Sequence, residues 1–246
     1  MERIDELQRG GYRLIQDPDK FCFGTDAVLL ADFAKARRGE RVIDLCSGSG
    51  VVPLLMLARY PGARYTALEI QPDIAAMARR SMALNQVQER VQVITGDLRS
   101  LPPQLRPHSF HVVTVNPPYM PVDGRRRSAN QAVQIARSEV CCTLTDVVRA
   151  AAALLTDKGR LYMVHRPQRL VDIFEAMLAC RIEPKRLQWV HPYADKEPTQ
   201  VLIEGVLGGG RELRVTPPLI TYEAPGVYTK PMLEVYGQDG HHSDMS

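Results

Sequence analysis

Short apolar runs alternate along this chain with longer stretches of helical periodicity. Arg41-Val42-Ile43-Asp44-Leu45 is β-rich, and Val51 to Tyr60 follows with a helical pattern. Tyr65-Thr66-Ala67-Leu68 reads as a second strand ending at Glu69, and Val91-Gln92-Val93-Ile94 as a third running into Gly96-Asp97-Leu98. Phe110 to Val115 is a continuous run expected in a buried strand. A helix is predicted over Thr143 to Leu155, capped by Thr143 or Thr145 and ending at Lys158-Gly159. Arg160 to His165 is the fifth strand and Gln168 to Cys180 a helix. Lys185 to His191 and Gln200 to Leu207 complete the set. The link between them, 192–198, is too short for a crossover helix, so they should pair antiparallel. Alternation of this kind predicts an α/β fold with a seven-stranded doubly wound sheet and an antiparallel terminal strand pair.

This pattern organises the chain. Residues 1–207 are expected to form one domain, with 1–38 as an N-terminal hairpin and helix cap. Gly208-Gly209-Gly210 marks a boundary, and 208–246 reads as a C-terminal tail of weak periodicity.

Candidate chemistry begins at the first strand-to-helix turn, Asp44-Leu45-Cys46-Ser47-Gly48-Ser49-Gly50. Gly48 and Gly50 allow a sharp bend and close approach to a ligand. The helix N-terminus behind them can face an anionic group. Glu69 lies about twenty residues past the glycines, the spacing at which a carboxylate meets ribose hydroxyls. Asp97, at the next strand end, is placed to accept from an adenine amine. A nicotinamide-binding fingerprint shares the glycines and the acid, but it wants a third glycine where this chain has Pro53. Pro53 is tolerated because it falls in the first turn of its helix.

The second piece is Asn116-Pro117-Pro118-Tyr119, directly after the Phe110 to Val115 strand. An exocyclic amine on a flat ring is a poor nucleophile until its N–H bonds meet acceptors. The Asn116 side-chain oxygen can accept one. A backbone carbonyl of Pro117-Pro118 can accept the other, with φ fixed and no competing amide. Tyr119 offers a stacking face. Together the two pieces point to S-adenosylmethionine as methyl donor and a planar amine as acceptor, with catalysis by positioning and electrostatics. The catalytic candidates are Asn116, Pro117 and Tyr119.

The 246 residues include five cysteines, an odd number with no C-x-x-C pair, so neither a disulfide framework nor a zinc site is suggested. Reduced thiols, the absence of a secretory pattern at the N-terminus and the absence of a membrane-length apolar run lead us to expect a cytoplasmic protein with no membrane association and no metal. The formal charge is +3. The stretch 208–246 carries three basic and five acidic residues, which leaves an excess of five basic residues elsewhere. Arg125-Arg126-Arg127, just past the tetrapeptide, reads equally as a solvated loop and as a phosphate contact.

With these residues in view, the chain resembles the bacterial class I, Rossmann-like methyltransferases carrying an Asn-Pro-Pro-Tyr loop. It is most similar to the valine-tRNA (adenine-37-N6)-methyltransferase family. The resemblance spans about residues 10 to 236. It rests on Phe21 to Leu30, the Asp44 to Gly50 turn, Asn116 to Tyr119, Ala136-Arg137-Ser138-Glu139 and Val164-His165-Arg166-Pro167. Members often carry His where this chain has Ser138. The resemblance implies that Phe23 to Ala27 covers the methionine end of the donor. Glu69 would hold the ribose, Asp97 the adenine, and Asn116 with Pro117 the target amine. The implied donor-binding set is Phe23, Gly24 and Thr25; Asp44, Cys46, Gly48 and Gly50; Glu69 and Ile70; Asp97, Leu98 and Asn116. Arg125, Arg126, Arg127, Arg137 and Arg166 would meet RNA. The implied product is N6-methyladenosine in a tRNA anticodon loop, at position 37 of valine tRNA. Guanine-N2 methyltransferases of ribosomal RNA and protein-glutamine methyltransferases share the tetrapeptide and remain alternatives, as does a non-catalytic protein that binds donor or RNA. The short segment before Asp44 favours the tRNA family over both enzyme alternatives.

Overall fold

The computed structural model of the protein describes residues 1–19, 22–118 and 142–238. The chain opens with a hairpin, β1 (Arg3–Glu6) and β2 (Arg13–Gln16), followed by α1 (Thr25–Phe33). The alternating unit is β3 (Arg41–Leu45), α2 (Val51–Arg59), β4 (Arg64–Glu69), α3 (Pro72–Leu84), β5 (Val91–Thr95) and β6 (Phe110–Val115). Next come α4 (Leu144–Leu154), β7 (Leu155–His165), a single 3-10 turn (Pro167–Arg169) and α5 (Leu170–Ala179). The long antiparallel pair β8 (Ile182–His191) and β9 (Gln200–Leu207) follows. Beyond it lie β10 (Arg214–Val215), β11 (Leu219–Ile220), a small hairpin of β12 (Tyr222–Ala224) and β13 (Val227–Tyr228), and α6 (Lys230–Tyr236).

Strands β3 to β9 form one sheet in the order β8-β9-β7-β6-β3-β4-β5. These are the seven strands expected from the pattern, with β7 and β8 each meeting β9 antiparallel. The sheet has nine strands in all, because β10 and β11 each pair parallel with the outer edge of β8. The stretch past Gly210 therefore packs back on the sheet, and Leu219 and Met232 are buried. Gly208 to Gly210 is the turn that reverses the chain.

Two boundaries differ from the periodicity for pairing reasons. β7 starts at Leu155 because that residue registers with Phe110 of β6, so sheet pairing ends the helix at Leu154. β8 starts at Ile182 and runs through Pro184, with a register shift between Pro184 and Arg186. A proline is accepted there because β10 and β11 cover only positions 186–187 and 190–191 of that edge.

Sheet order reverses at β3. From it the chain moves outward through β4 and β5, then returns to place β6 on its other side. Such a switch point leaves a crevice at the strands' carboxyl ends. Apolar clusters fill both faces of the sheet, one holding α1 and α2, the other α4 and α5. The N-terminal hairpin is tied to α3: Asn85 accepts from the Arg13 N–H at 2.8 Å, and Ser81 Oγ accepts from the Ile15 N–H at 3.0 Å. At α4 the expected cap is Thr143. Its hydroxyl accepts the Asp146 N–H at 3.2 Å, while Asp146 accepts the Thr143 N–H at 3.0 Å, closing a capping box.

Candidate active site

A cavity of about 390 Å³ opens at the switch point, lined from the ends of β3, β4, β5 and β6 and from the start of α1. Its floor is the turn after β3. Cys46, Gly48 and Gly50 all take positive φ, at 56°, 54° and 81°. The left-handed conformation costs a residue with a Cβ roughly 1–2 kcal/mol, so Cys46 is a strained position held by its surroundings. The Ser47 N–H donates to the Leu68 carbonyl at 3.0 Å, which ties the turn to β4. Gly50 caps α2, and a Cβ there would sit 2.6 Å from Met82 Cε, so this glycine serves the turn and the packing of α2 against α3.

Glu69 organises the loop from the end of β4. It is buried, at 5% exposure. Its Oε2 accepts the Gly48 N–H at 2.9 Å and its Oε1 accepts the Gln71 N–H at 2.9 Å. One carboxylate thus shapes the glycine turn while facing the cavity. Asp97 also lines the cavity, but its carboxylate is engaged by Arg99: Nη2 and Nε donate to Oδ2 at 2.7 and 2.9 Å, and the Arg99 N–H donates to Oδ1 at 2.8 Å. That pairing holds its carboxyl below the usual carboxylate range. The sequence did not single out Arg99.

Asp44 and Thr114 are cross-strand neighbours on β3 and β6, and the Thr114 hydroxyl donates to Asp44 Oδ1 at 2.6 Å. Burial pushes the Asp44 carboxyl up to about 7, partly offset by that hydrogen bond. Ser47 lies close to Asp44 without hydrogen-bond geometry, so its hydroxyl is buried with no partner among the described residues. A buried orphan hydroxyl on a cavity wall is what a polar ligand would satisfy. Cys46 and Cys142 face each other across the wall. Their shared hydrogen bond, together with burial, raises the Cys46 thiol; the same hydrogen bond lowers that of Cys142 against the opposing effect of burial.

Asn116 stands at the end of β6. Its Nδ2 donates to Asp26 Oδ2 at 2.9 Å, a contact across 90 residues of sequence. Pro117 and Pro118 form a partition: a second cavity of about 180 Å³ lies on their other side, lined by Thr143, His165 and Arg169. His165 is buried, its Nδ1 accepts the Arg166 N–H at 2.8 Å, and burial with the nearby Arg169 charge lowers its pKa to about 4. The imidazole is therefore neutral and carries its proton on Nε2.

The fold gathers most of the expected residues. Gly24, Asp44, Cys46, Gly48, Glu69, Ile70, Asp97, Leu98, Asn116 and Pro117 all line the larger cavity. Phe23, Thr25 and Gly50 are not among its described lining. Phe23 packs on the core, and its N–H donates to Gln16 Oε1 at 2.9 Å. Arg166 directly follows His165 at the end of β7 and is not among the described lining of either cavity. Tyr119, Arg125, Arg126, Arg127 and Arg137 lie outside the described residues. Asp26 and Cys142 were missed. Asp26 lay within a quoted segment, but its partner is set by tertiary contact alone. Among the described residues, no cluster of His, Cys, Asp and Glu could hold a metal ion, and no helix is long and apolar enough to cross a membrane.

Known proteins similar to this chain fall in one family and one fold. The family model for the methyltransferase small domain matches residues 17–179. A Porphyromonas gingivalis protein named tRNA1(Val) (adenine(37)-N6)-methyltransferase is 28% identical over 187 residues, 74% of this chain and 72% of its own length. An Aeromonas hydrophila protein of the same name is 28% identical over 207 residues, 84% of each chain. Among solved structures, a predicted O-methyltransferase from Agrobacterium tumefaciens superposes with a TM-score of 0.72 at 24% identity, covering 87% of this chain and 97% of that one. A geranyl diphosphate methyltransferase in complex with SAM superposes at 0.55 with 14% identity, over 74% of this chain and 84% of that one. These two likenesses speak to the fold.

Proposed function

This chain belongs to the methyltransferase small domain family, and we propose that it is the S-adenosylmethionine-dependent enzyme that forms N6-methyladenosine at position 37 of valine tRNA. The observation that carries the reading is the Asn116-Pro117-Pro118 turn. Asn116 lines a large cavity bounded by the glycine turn, Glu69 and Asp97, and Pro117 with Pro118 borders both that cavity and a smaller one beside it. The names of the relatives support the choice of tRNA adenine over guanine in ribosomal RNA or glutamine in protein.

The donor fits what the residues offer: a buried hydroxyl without a partner, a left-handed turn and acids at successive strand ends. When bound, S-adenosylmethionine supplies a sulfonium methyl and leaves as the thioether. Glu69 would take the ribose hydroxyls on the carboxylate that already shapes the Gly48 turn, and Asp97 the adenine amine. Ile70 and Leu98 supply apolar walls. Gly24 would border the donor's methionine end. On the target side, Asn116 Oδ1 and the Pro117 carbonyl accept the two N–H bonds of the adenine amine, turning its lone pair toward the methyl. Tyr119 would stack on the base. The proton lost from nitrogen leaves to solvent, so no general base is required.

Anticodon-loop adenine is unpaired and needs little extrusion, whereas a duplex base costs a few kcal/mol to flip. Arg166, with Arg125, Arg126, Arg127 and Arg137, would contact the phosphates. A tRNA substrate places the enzyme with the cytoplasmic RNA pool. The test is nucleoside mass spectrometry of tRNA from a deletion strain, together with labelled methyl transfer by purified enzyme. N6-methyladenosine should vanish from valine tRNA and return with the enzyme. Its persistence, with label in guanine or in protein glutamine, would overturn the substrate.

A further inference from the structure

The donor and target residues above leave one contact without a role. Asp26, on the first turn of α1, accepts the Asn116 side-chain N–H at 2.9 Å. A carboxylate presents acceptors only, so the amide atom facing it is Nδ2, and Oδ1 is directed the other way. We propose that Asp26 is a positioning residue that fixes the orientation of the Asn116 amide, so that its oxygen meets the target amine. The inference rests on the reading of Asn116 as an acceptor for that amine.

Two further features hold Asp26 in this pose. Its Oδ1 accepts the Ala27 N–H at 3.1 Å, leaving Oδ2 directed at Asn116. A Cβ on Gly24 would lie 2.7 Å from the same Oδ1. Gly24 has an extended backbone, φ −105°, so it is not required there for its own conformation. A Cβ there would push the Asp26 carboxylate out of this pose, so the glycine leaves it room. The helix carrying Asp26 is itself a firm base, with Ala27 to Ala31 all buried.

The chemistry explains why orientation matters. An amide rotated by half a turn would present NH2 to an amine that also carries N–H bonds, donor against donor. The energy difference between the two orientations of an unrestrained amide is small, and a carboxylate on one side makes it large. Asp26 would thus act on the reaction through Asn116.

The test is Asp26→Asn, which keeps the side-chain shape but can donate as well as accept. We expect single-turnover transfer to a valine tRNA transcript at saturating donor to fall about ten- to a hundred-fold, the scale of a misplaced reacting group. Donor affinity by calorimetry should stay within about twofold. Adding Asp26→Asn to Asn116→Ala should cost nothing further, as expected of residues acting as one unit. A second measurement is independent of substrate. The chain has three asparagines, Asn85, Asn116 and Asn130, so 15N-asparagine labelling yields three side-chain NH2 signals. The pair lost in Asn116→Ala identifies that residue, and it should shift in Asp26→Ala. An unshifted pair would overturn the proposal. So would a variant with weakened donor binding but normal turnover at saturation, because Asp26 would then serve the donor. If the wild-type enzyme methylates no tRNA, the substrate reading fails, and the NMR result still judges the orientation.

Discussion

Removing the Glu69 side chain should damage the fold and donor binding together, because the hold on the glycine turn and the proposed ribose contact rest on one carboxylate. In Glu69→Ala the Gly48 and Gln71 amides each lose an acceptor 2.9 Å away. Gln71 is exposed, so water replaces that bond at little cost, whereas Gly48 is half-buried at the bottom of the glycine turn. The loss is therefore close to one hydrogen bond to a charged group, about 1.5–3 kcal/mol. For a chain of this size that lowers Tm by about 3–12 °C. The proposed ribose contact would be of similar strength, so donor affinity should fall about ten- to a hundred-fold beyond the stability effect. Thermal unfolding without donor and calorimetry with S-adenosylhomocysteine read the two losses separately. A variant melting within about 2 °C of wild type would refute the role of Glu69 in holding the turn. Unchanged affinity would mean that another residue holds the ribose.

Asn116→Ala should reduce single-turnover methyl transfer by about 10²–10³ while donor affinity stays within a few-fold, because the role proposed for Asn116 is toward the target amine; near-normal turnover would remove it from the catalytic set. Asp44→Asn should change how stability follows pH. The folded carboxyl is raised to about 7, so its contribution is fully present below the unfolded value and is lost as pH rises toward and through 7. His165, lowered to about 4, acts in the opposite sense and costs stability as pH falls from its unfolded range through 4. Asp44→Asn removes the first limb only and should move the Tm optimum of the donor-free protein to higher pH; Tm profiles running parallel to wild type would refute the buried, proton-linked state of Asp44.

Periodicity along the chain was enough to determine the alternating sheet, the antiparallel closing pair and the sites of its two key turns. Those features are local: strand length, the absence of room for a crossover between β8 and β9, glycines at 48 and 50, and two prolines after Asn116 all act within a few residues. Glu69 and Asp97 were legible because a doubly wound sheet brings successive strand ends to one rim. Tertiary structure alone decided the rest. The stretch past Gly210 lacks periodicity because β10 and β11 are two residues each and take their order from the edge of β8. Cys142 meets Cys46 across 96 positions of sequence through packing that spacing does not encode, whereas Arg99 engages Asp97 from only two residues away, a local contact that depends on rotamer rather than on fold. Asp26 reaches Asn116 only because α1 packs where β6 ends. A contact across 90 residues leaves no periodic trace, since it depends on where two rigid elements come to rest.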